Sequence, residues 1–219
     1  MWLVCAYYTN DEIYINHAKN FVASAKKFNL SYDISLIDSQ GDWYKGMQYK
    51  PAFLKRMLEK HYPNSIVYVD IDAVFCRYPS FFDILDKKPN VSIAAHILDH
   101  SRYGRKNHPP ELLSGTIFLK NNKKISIIIN SWIEECSKNP RLWDQKALAT
   151  VLKENDLCIL PEEYCVIFDY MASVKNPVIK HFQASRTMRR AGNMKQVKIV
   201  IGNQTIHTKR IPRTINLRK

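Results

Sequence analysis

The sequence predicts a single α/β domain followed by a basic C-terminal extension. Strand-like and helix-like segments alternate along the first part of the chain. A short acidic motif, Asp70-Ile71-Asp72, follows the apolar run Ser65–Val69 directly, and positive charge is concentrated near the C-terminus. The 219 residues, 46% hydrophobic and 24% charged, are sufficient for one domain with a substantial core.

The first third of the chain alternates between the two patterns in a regular order. Apolar and aromatic residues fill 2–8, a predicted strand, and apolar residues at near-helical spacing predict a helix over 11–28. Alternation predicts a second strand, and Pro51 indicates the first turn of a helix. The predicted elements after the first helix are a strand at 32–37, a loop at 41–46, a helix at 51–60 and a strand at 65–69.

The middle of the chain continues this alternation, and its pattern becomes irregular and strand-like after residue 152. Residues 96–111 are polar and contain two prolines, so we expect a loop over the functional site there. The predicted elements are a helix at 79–85, strands at 91–95 and 113–119, and helices at 123–136 and 142–152.

The net charge of +13 lies almost entirely in the last fifty residues. Residues 170–219 contain six lysines, six arginines and no acidic residue, a charge of +12, whereas the preceding 169 residues carry only +1. Such a block favours a polyanionic partner, namely nucleic acid, an anionic membrane or ligand phosphates, although a disordered solubilising tail is the alternative. Gly202-Asn203 between two β-rich runs predicts a hairpin, so we expect a domain at 1–186 and an extension at 187–219.

Other features constrain the compartment. No apolar run is long enough to span a membrane. The N-terminus lacks a basic start and is interpreted as a strand, not a signal peptide. The cysteines are odd in number and scattered, which predicts reduced thiols and a cytoplasmic protein. They are Cys5, Cys76, Cys136, Cys158 and Cys165. The expected setting, from the acceptor classes given below, is a bacterium or a virus-infected cell.

The acidic motif is the strongest functional signal. A stiff, buried strand fixes the position of Asp70 and Asp72, and carboxylate oxygens suit Mg²⁺ or Mn²⁺, which in turn bind diphosphates. A solvated acidic turn is the alternative. However, the apolar run Ala73–Phe75 follows at once, so the two acids interrupt a hydrophobic stretch where a cation would compensate their charge. The motif therefore indicates a site for a nucleotide-sugar donor.

Six short segments follow one another in a characteristic order along the chain. They are YKPAFL (49–54), VYVDID (67–72), LSGTIF (113–118), WDQKAL (143–148), LPEEY (160–164) and KHFQASR (180–186). In this order they resemble a known family, the nucleotide-diphospho-sugar transferases of the GT-A glycosyltransferase class. The resemblance covers residues 1–186, and nothing after Arg186 matches a family element. It implies an enzyme with a GT-A-like domain and a mixed, mainly parallel central sheet.

The resemblance implies a metal site formed by Asp70, Asp72 and His181. Asp72 is the expected firmer ligand, and Asp70 also lies near the nucleotide ribose. Imidazole favours Mn²⁺ over Mg²⁺, so manganese is the first expectation. A hydrogen-bonded core histidine is the alternative for His181.

The same resemblance implies residues that bind the donor, which we expect to be UDP-linked. Lys50 would face the diphosphate, with an exposed surface lysine as the alternative. Ser185 and Arg186 would bind phosphate oxygens. At Ser114-Gly115 the backbone would pass close to the donor sugar, because glycine has no side chain to obstruct it.

Candidate catalytic residues are Asp144 and Gln145. The resemblance places Asp144 at the sugar hydroxyls or near the anomeric carbon, whereas aspartate is also simply favourable at a helix N-terminus. Asp99 and Arg102 are further candidates for sugar contact.

Three alternatives describe what the protein does with its donor. DNA carrying hydroxymethylated bases is slightly favoured as the acceptor, because basic residues in and near the extension would neutralise backbone phosphates. A bacterial surface glycan or lipopolysaccharide, reached by docking on an anionic membrane, is the alternative. A module that binds nucleotides or nucleic acid without turnover is the third. The basic residues are Arg186, Arg189, Arg190, Lys195, Lys198, Lys209, Arg210, Arg213 and Arg218.

Overall fold

The computed structural model describes residues 1–39, 41, 43–153, 156–184, 194–201 and 204–212. The chain divides into two compact units, Met1–Phe182 and Gln183–Lys219. Within the described residues, no helix has the length and apolar character needed to cross a bilayer.

The first unit contains nine strands and five α-helices among its described residues, with two 3₁₀ turns at His100–Tyr103 and Glu162–Tyr164. The strands are β1 (Trp2–Thr9), β2 (Tyr32–Ile37), β3 (Ser65–Val69), β4 (Ala73–Phe75), β5 (Ile93–Leu98), β6 (Glu111–Leu119), β7 (Leu157–Ile159), β8 (Val166–Ile167) and β9 (Ile179–His181). The helices are α1 (Glu12–Lys27), α2 (Trp43–Lys60), α3 (Phe81–Lys87), α4 (Lys123–Lys138) and α5 (Asp144–Val151).

The central sheet has six strands in the order β2-β1-β3-β6-β5-β7. The pairs β1–β2, β1–β3 and β5–β7 are parallel, whereas β6 runs antiparallel to both of its neighbours. A second, three-stranded sheet has the order β4-β9-β8. The predicted α/β fold with a mixed, mainly parallel sheet is therefore confirmed.

The central sheet is buried on both faces, and β3 demonstrates this directly. Ile66 and Tyr68 pack in the core cluster that includes residues of α2, α4 and α5, whereas Val67 and Val69 pack in the cluster that includes residues of α1 and α3. Successive side chains of a strand point to opposite faces, so a strand covered on both sides is apolar throughout. This explains the unbroken apolar run that precedes the acidic motif.

Helix α2 begins at Trp43, so the predicted helix start at Pro51 and most of the predicted loop at 41–46 are wrong. A proline inside a helix removes one backbone hydrogen bond and costs about 3 kcal/mol or more. Burial of Phe53, Leu54 and Met57 in the core offsets this cost. The local rule for proline was outweighed by tertiary packing.

The predicted loop at 96–111 is also partly wrong, because β5 extends through Leu98 and β6 begins at Glu111. His96 is buried, and its Nδ1 lies 2.9 Å from the Leu160 carbonyl oxygen. The β5–β6 register shifts between Ala95 and His96, which marks a bulge. Because this segment is polar, the sequence did not reveal that it includes the end of β5 and the start of β6.

The second unit contains an antiparallel hairpin of β10 (Met194–Ile201) and β11 (Gln204–Pro212). Ile201 pairs with Gln204, and the register shifts between Ile199 and Val200. The predicted hairpin is therefore present in the described residues. The expected turn at 202–203 lies outside the described residues.

Replacing Phe118 by alanine tests the core between the sheet and α3. Phe118 is fully buried and stacks on Phe82 with ring centroids 6.3 Å apart. We expect Phe118→Ala to lower the free energy of unfolding by about 3–5 kcal/mol in urea titrations. Ile127→Ala on α4 is the control, because that side chain is 59% exposed and its removal should change stability by less than about 0.5 kcal/mol. Equal effects of the two substitutions would contradict the assigned core.

Candidate metal and donor site

Two strand pairings hold the turn that carries the acidic motif. At its start, the Asp70 N–H donates to the Gly115 carbonyl of β6 at 2.8 Å. At its end, Ala73 pairs with His181 of β9, and the Phe182 N–H donates to the Asp72 carbonyl at 3.0 Å. The Ala73 N–H also closes the turn by donating to the Asp70 carbonyl at 3.0 Å. Both ends of the motif are therefore fixed by different sheets.

The three predicted metal ligands come together at this turn. Asp70, Asp72 and His181 each offer one ligand atom, and these atoms lie within 4.8 Å of one another. His181 Nδ1 is 4.0 Å from Asp72 Oδ1, and the Asp70 side chain is 39% exposed. Two carboxylates and one imidazole form a donor set that suits Mn²⁺ and is open to solvent on one side.

His181 is both a buried, hydrogen-bonded histidine and a member of this group, so its two interpretations are compatible. Its Nε2 lies 2.9 Å from Thr116 Oγ1, which leaves Nδ1 towards the carboxylates. Burial lowers the pKa of His181, and the nearby charges of Asp72 and Asp70 only partly oppose this. The imidazole is therefore neutral near pH 7, as metal ligation requires.

The space between the candidate ligands depends on Gly115. A Cβ atom there would lie 3.1 Å from Asp70 Oδ2, 3.1 Å from His181 Cε1 and 3.3 Å from His181 Nδ1. Any larger residue would therefore occupy the gap between a carboxylate and the imidazole. The donor set and this gap together fit a divalent cation.

A buried charge cluster adjoins the group and is centred on Lys50. Its Nζ lies 2.9 Å from Asp144 Oδ2 and 3.3 Å from Asp70 Oδ1, and it donates to the carbonyl and hydroxyl oxygens of Ser114 at 3.1 and 3.0 Å. Burial alone would lower the pKa of Lys50, but the charges of Asp144 and Asp70 outweigh it and raise that pKa. Lys50 is thus a permanent buried cation that holds two acids, and not the exposed surface lysine of the alternative.

Asp70 receives a further hydrogen bond that fixes its position. The Tyr68 hydroxyl donates to Asp70 Oδ1 at 2.8 Å, and the Lys50 ammonium lies 4.9 Å from the centre of the Tyr68 ring. The orientation of the Asp70 side chain is therefore fixed by a residue that packs in the core.

The candidate catalytic residues Asp144 and Gln145 begin α5. Asp144 is buried, accepts a hydrogen bond from Ser114 Oγ at 2.7 Å, and its carbonyl oxygen accepts from the Trp132 indole at 2.9 Å. The Gln145 amide donates to Glu111 Oε1 at 2.7 Å. Lys50 therefore connects Asp144 to Asp70, whereas the neighbouring Gln145 contacts Glu111.

The remaining predicted residues have partners outside the group described above or lie outside the described part of the chain. Ser185 and Arg186 are not among the described residues. Asp99 accepts from the backbone and hydroxyl of Ser101, and Arg102 pairs with Glu162 at 2.9 Å.

Sequence reasoning missed Tyr68, Thr116 and Glu111. Tyr68 and Thr116 lie within strands whose composition is typical of a core, and Glu111 lies in the segment predicted as loop. The two-residue spacing of Tyr68 and Asp70 could have indicated their contact, because side chains two apart share one face of a strand. Nothing in the sequence indicated the contact between Thr116 and His181.

A family model matches most of this chain, and solved structures share its fold. The model of the nucleotide-diphospho-sugar transferase family matches residues 23–196. No curated protein sequence gives a significant match.

Many solved structures are similar to this chain, and three of them illustrate the likeness. A glycosyltransferase involved in the glycosylation of the major capsid of PBCV-1 has a TM-score of 0.64 at 12% identity, over 86% of this chain and 98% of that one. GlyE of Streptococcus pneumoniae TIGR4 has a TM-score of 0.57 at 14% identity, over 83% of this chain and 54% of GlyE. The galactosyltransferase LgtC, in complex with donor and acceptor sugar analogues, has a TM-score of 0.50 at 12% identity, over 90% of this chain and 97% of LgtC. At these identities the likeness shows a shared fold.

The fold and the family match together define the class of this protein as a glycosyltransferase with a GT-A-like fold that uses a nucleotide-sugar donor. The chain belongs to the nucleotide-diphospho-sugar transferase family, and the resemblance seen in the sequence is confirmed.

Gly115→Ala tests whether the gap beside Gly115 is a metal site. The added methyl group would press on Asp70 Oδ2 and the His181 ring, so we expect weaker Mn²⁺ binding in titrations followed by electron paramagnetic resonance. Gly46→Ala is the control, because a Cβ atom there has no heavy atom within 4 Å. An unchanged Mn²⁺ affinity in Gly115→Ala would argue against a metal at this position.

Proposed function

We propose that Asp70, Asp72 and His181 bind a divalent cation, Mn²⁺ in the first place and Mg²⁺ as the alternative, that holds the diphosphate of a UDP-sugar. The observation that carries this proposal is the convergence of the three side chains beyond the carboxyl end of β3. Ligands of open α/β sheets bind at this edge, and family membership supplies the nucleotide-sugar donor.

The chain's own residues have separate roles in the proposed reaction. When bound, the cation stabilises the negative charge that develops on the departing diphosphate. Lys50 is expected to face the diphosphate, but its hydrogen bonds are made to protein acceptors, so we propose that its charge acts on the diphosphate through Asp70 and Asp144. Asp144 and Gln145 lie beside the donor sugar, where the acceptor hydroxyl attacks the anomeric carbon.

Further donor contacts are proposed for residues of the same region. The Ser114-Gly115 backbone passes near the sugar, and Ser185 and Arg186 bind phosphate oxygens. We propose residues 1–186 as the catalytic domain and 187–219 as the basic extension. We also propose that the protein acts in the cytoplasm.

For the acceptor, we propose DNA that carries hydroxymethylated bases. Support comes from the charge of +12 in residues 170–219. Lys198 on β10 and Lys209 and Arg210 on β11 belong to this charge. Phosphate contacts of this kind position a protein on DNA, and the target base would have to leave the stack to react. There are two competing outcomes. One is a lipid-linked glycan presented by an anionic membrane, and the other is nucleotide binding without turnover.

Thermal unfolding with UDP-sugars tests the donor and metal roles together. A donor present at 100 times its Kd stabilises the native state by about 2.7 kcal/mol, which corresponds to a rise in Tm of roughly 5–10 °C for a chain of this size. We expect this rise to require Mn²⁺ in the wild-type protein. Asp72→Asn should abolish both the Mn²⁺-dependent part of the rise and donor hydrolysis.

Glu59→Gln serves as the matched control, because it also neutralises one acid, at an exposed position on α2. This variant should keep the full Mn²⁺-dependent rise in Tm. Retained donor hydrolysis in a folded Asp72→Asn protein would refute the metal assignment.

Neutralising three basic residues of the hairpin tests the acceptor. The triple variant Lys198→Gln, Lys209→Gln, Arg210→Gln should bind hydroxymethylated duplex DNA more weakly, with a salt slope reduced by about 0.9 for each phosphate that the protein no longer neutralises. Donor hydrolysis should be unchanged. Binding is measured by gel shift across a salt series, and sugar transfer is measured in parallel.

A control with the same charge change replaces Lys19, Lys26 and Lys27, exposed residues of α1, by glutamine. This control should keep the wild-type salt slope. Sedimentation with anionic vesicles in place of DNA binding would favour the membrane alternative, and bound UDP-sugar without hydrolysis or transfer would favour the binding module.

A further inference from the structure

We infer that Thr116 is a positioning residue that fixes the tautomer of His181, so that the Nδ1 lone pair faces Asp70 and Asp72. This inference rests on the proposed metal site and assigns a role to a residue outside the ligand set. A neutral imidazole carries one proton on either ring nitrogen, and only the tautomer with the proton on Nε2 presents Nδ1 to a cation.

The contact between Thr116 and His181 is isolated from solvent. Thr116 Oγ1 lies 2.9 Å from His181 Nε2, and both residues are buried. A buried polar atom that loses its partner costs about 1–3 kcal/mol. Since little water reaches this pair, the hydroxyl and the ring nitrogen depend on each other.

The direction of this hydrogen bond follows from the proposed metal role. A His181 that ligates through Nδ1 carries its proton on Nε2, and this buried N–H needs an acceptor. Thr116 Oγ1 is at hydrogen-bond distance from Nε2, so the hydroxyl oxygen accepts from Nε2–H.

In the opposite tautomer, Thr116 would donate to Nε2 and Nδ1–H would point at the two carboxylates. That arrangement blocks ligation, and Nδ1 is 4.0 Å from Asp72 Oδ1, too far for a hydrogen bond. The hydrogen bond from Nε2–H to Thr116 Oγ1 therefore holds His181 in the tautomer that can bind a metal. Partners of this kind commonly determine the orientation of metal-bound histidines.

The test compares Thr116→Val, which removes the hydroxyl at nearly constant volume, with Thr116→Ser, which keeps it. Mn²⁺ affinity is measured by electron paramagnetic resonance titration, and circular dichroism verifies folding. We expect Thr116→Val to weaken Mn²⁺ binding about 10- to 100-fold and Thr116→Ser to retain the wild-type affinity.

A second measurement does not depend on the variants. Nitrogen-15 NMR of the histidines in the metal-free wild-type protein reports which nitrogen of His181 carries the proton, and His181→Gln identifies its signal. We expect the Nε2–H tautomer in the wild type and in Thr116→Ser. An Nδ1–H tautomer in the wild type would overturn the inference, even if Thr116→Val does not fold.

The outcomes separate this inference from the proposed function. Wild-type Mn²⁺ binding with an equal affinity in Thr116→Val would remove the role of Thr116 and leave the metal site intact. Failure of the wild type to bind Mn²⁺ would overturn both. Weaker binding in both Thr116→Val and Thr116→Ser would show a packing requirement at this position and would also overturn the inference.

Discussion

The turn between β3 and β4 is held at both ends by different sheets, and the site depends on this constraint. Pairing of β3 with β6 brings Gly115 against Asp70, and pairing of β4 with β9 brings His181 against the end of the motif. Backbone hydrogen bonds therefore determine the separation of the candidate ligands. A metal at the proposed site would meet groups already in place, which would reduce the entropic cost of ordering them.

The buried cation of Lys50 is the second condition for this geometry. Two carboxylates, Asp70 and Asp144, lie within 3.3 Å of its ammonium group, which also donates to Ser114. Removing one member of a buried ion pair commonly costs about 3–5 kcal/mol, because the other charge stays behind uncompensated. Lys50, Asp144 and Asp70 are thus interdependent. Lys50 on α2 connects Asp144, a candidate catalytic residue on α5, to Asp70, a candidate metal ligand.

Much of the fold was predictable because the buried face of each element produces a recognisable pattern of apolar residues in the local sequence. The apolar run of β3 and the helical spacing of α1 follow from the faces that these elements bury. Prediction failed where tertiary contacts overrode local rules: α2 continues through Pro51, and β5 continues through the polar residue His96. In both places a segment that looks unfavourable locally is stabilised by partners that lie far away in the sequence.

The sequence by itself determined the alternation of strands and helices, the acidic motif after a buried strand, and the basic C-terminal block. Through its resemblance to a known family, it also indicated Asp70, Asp72 and His181 as candidate metal ligands. Only the tertiary structure decided that Thr116 contacts His181 and that Lys50 is buried between two acids. The physical reason is strand register: side-chain contacts across a sheet depend on which residues pair, and pairing is a property of the whole fold and not of either segment.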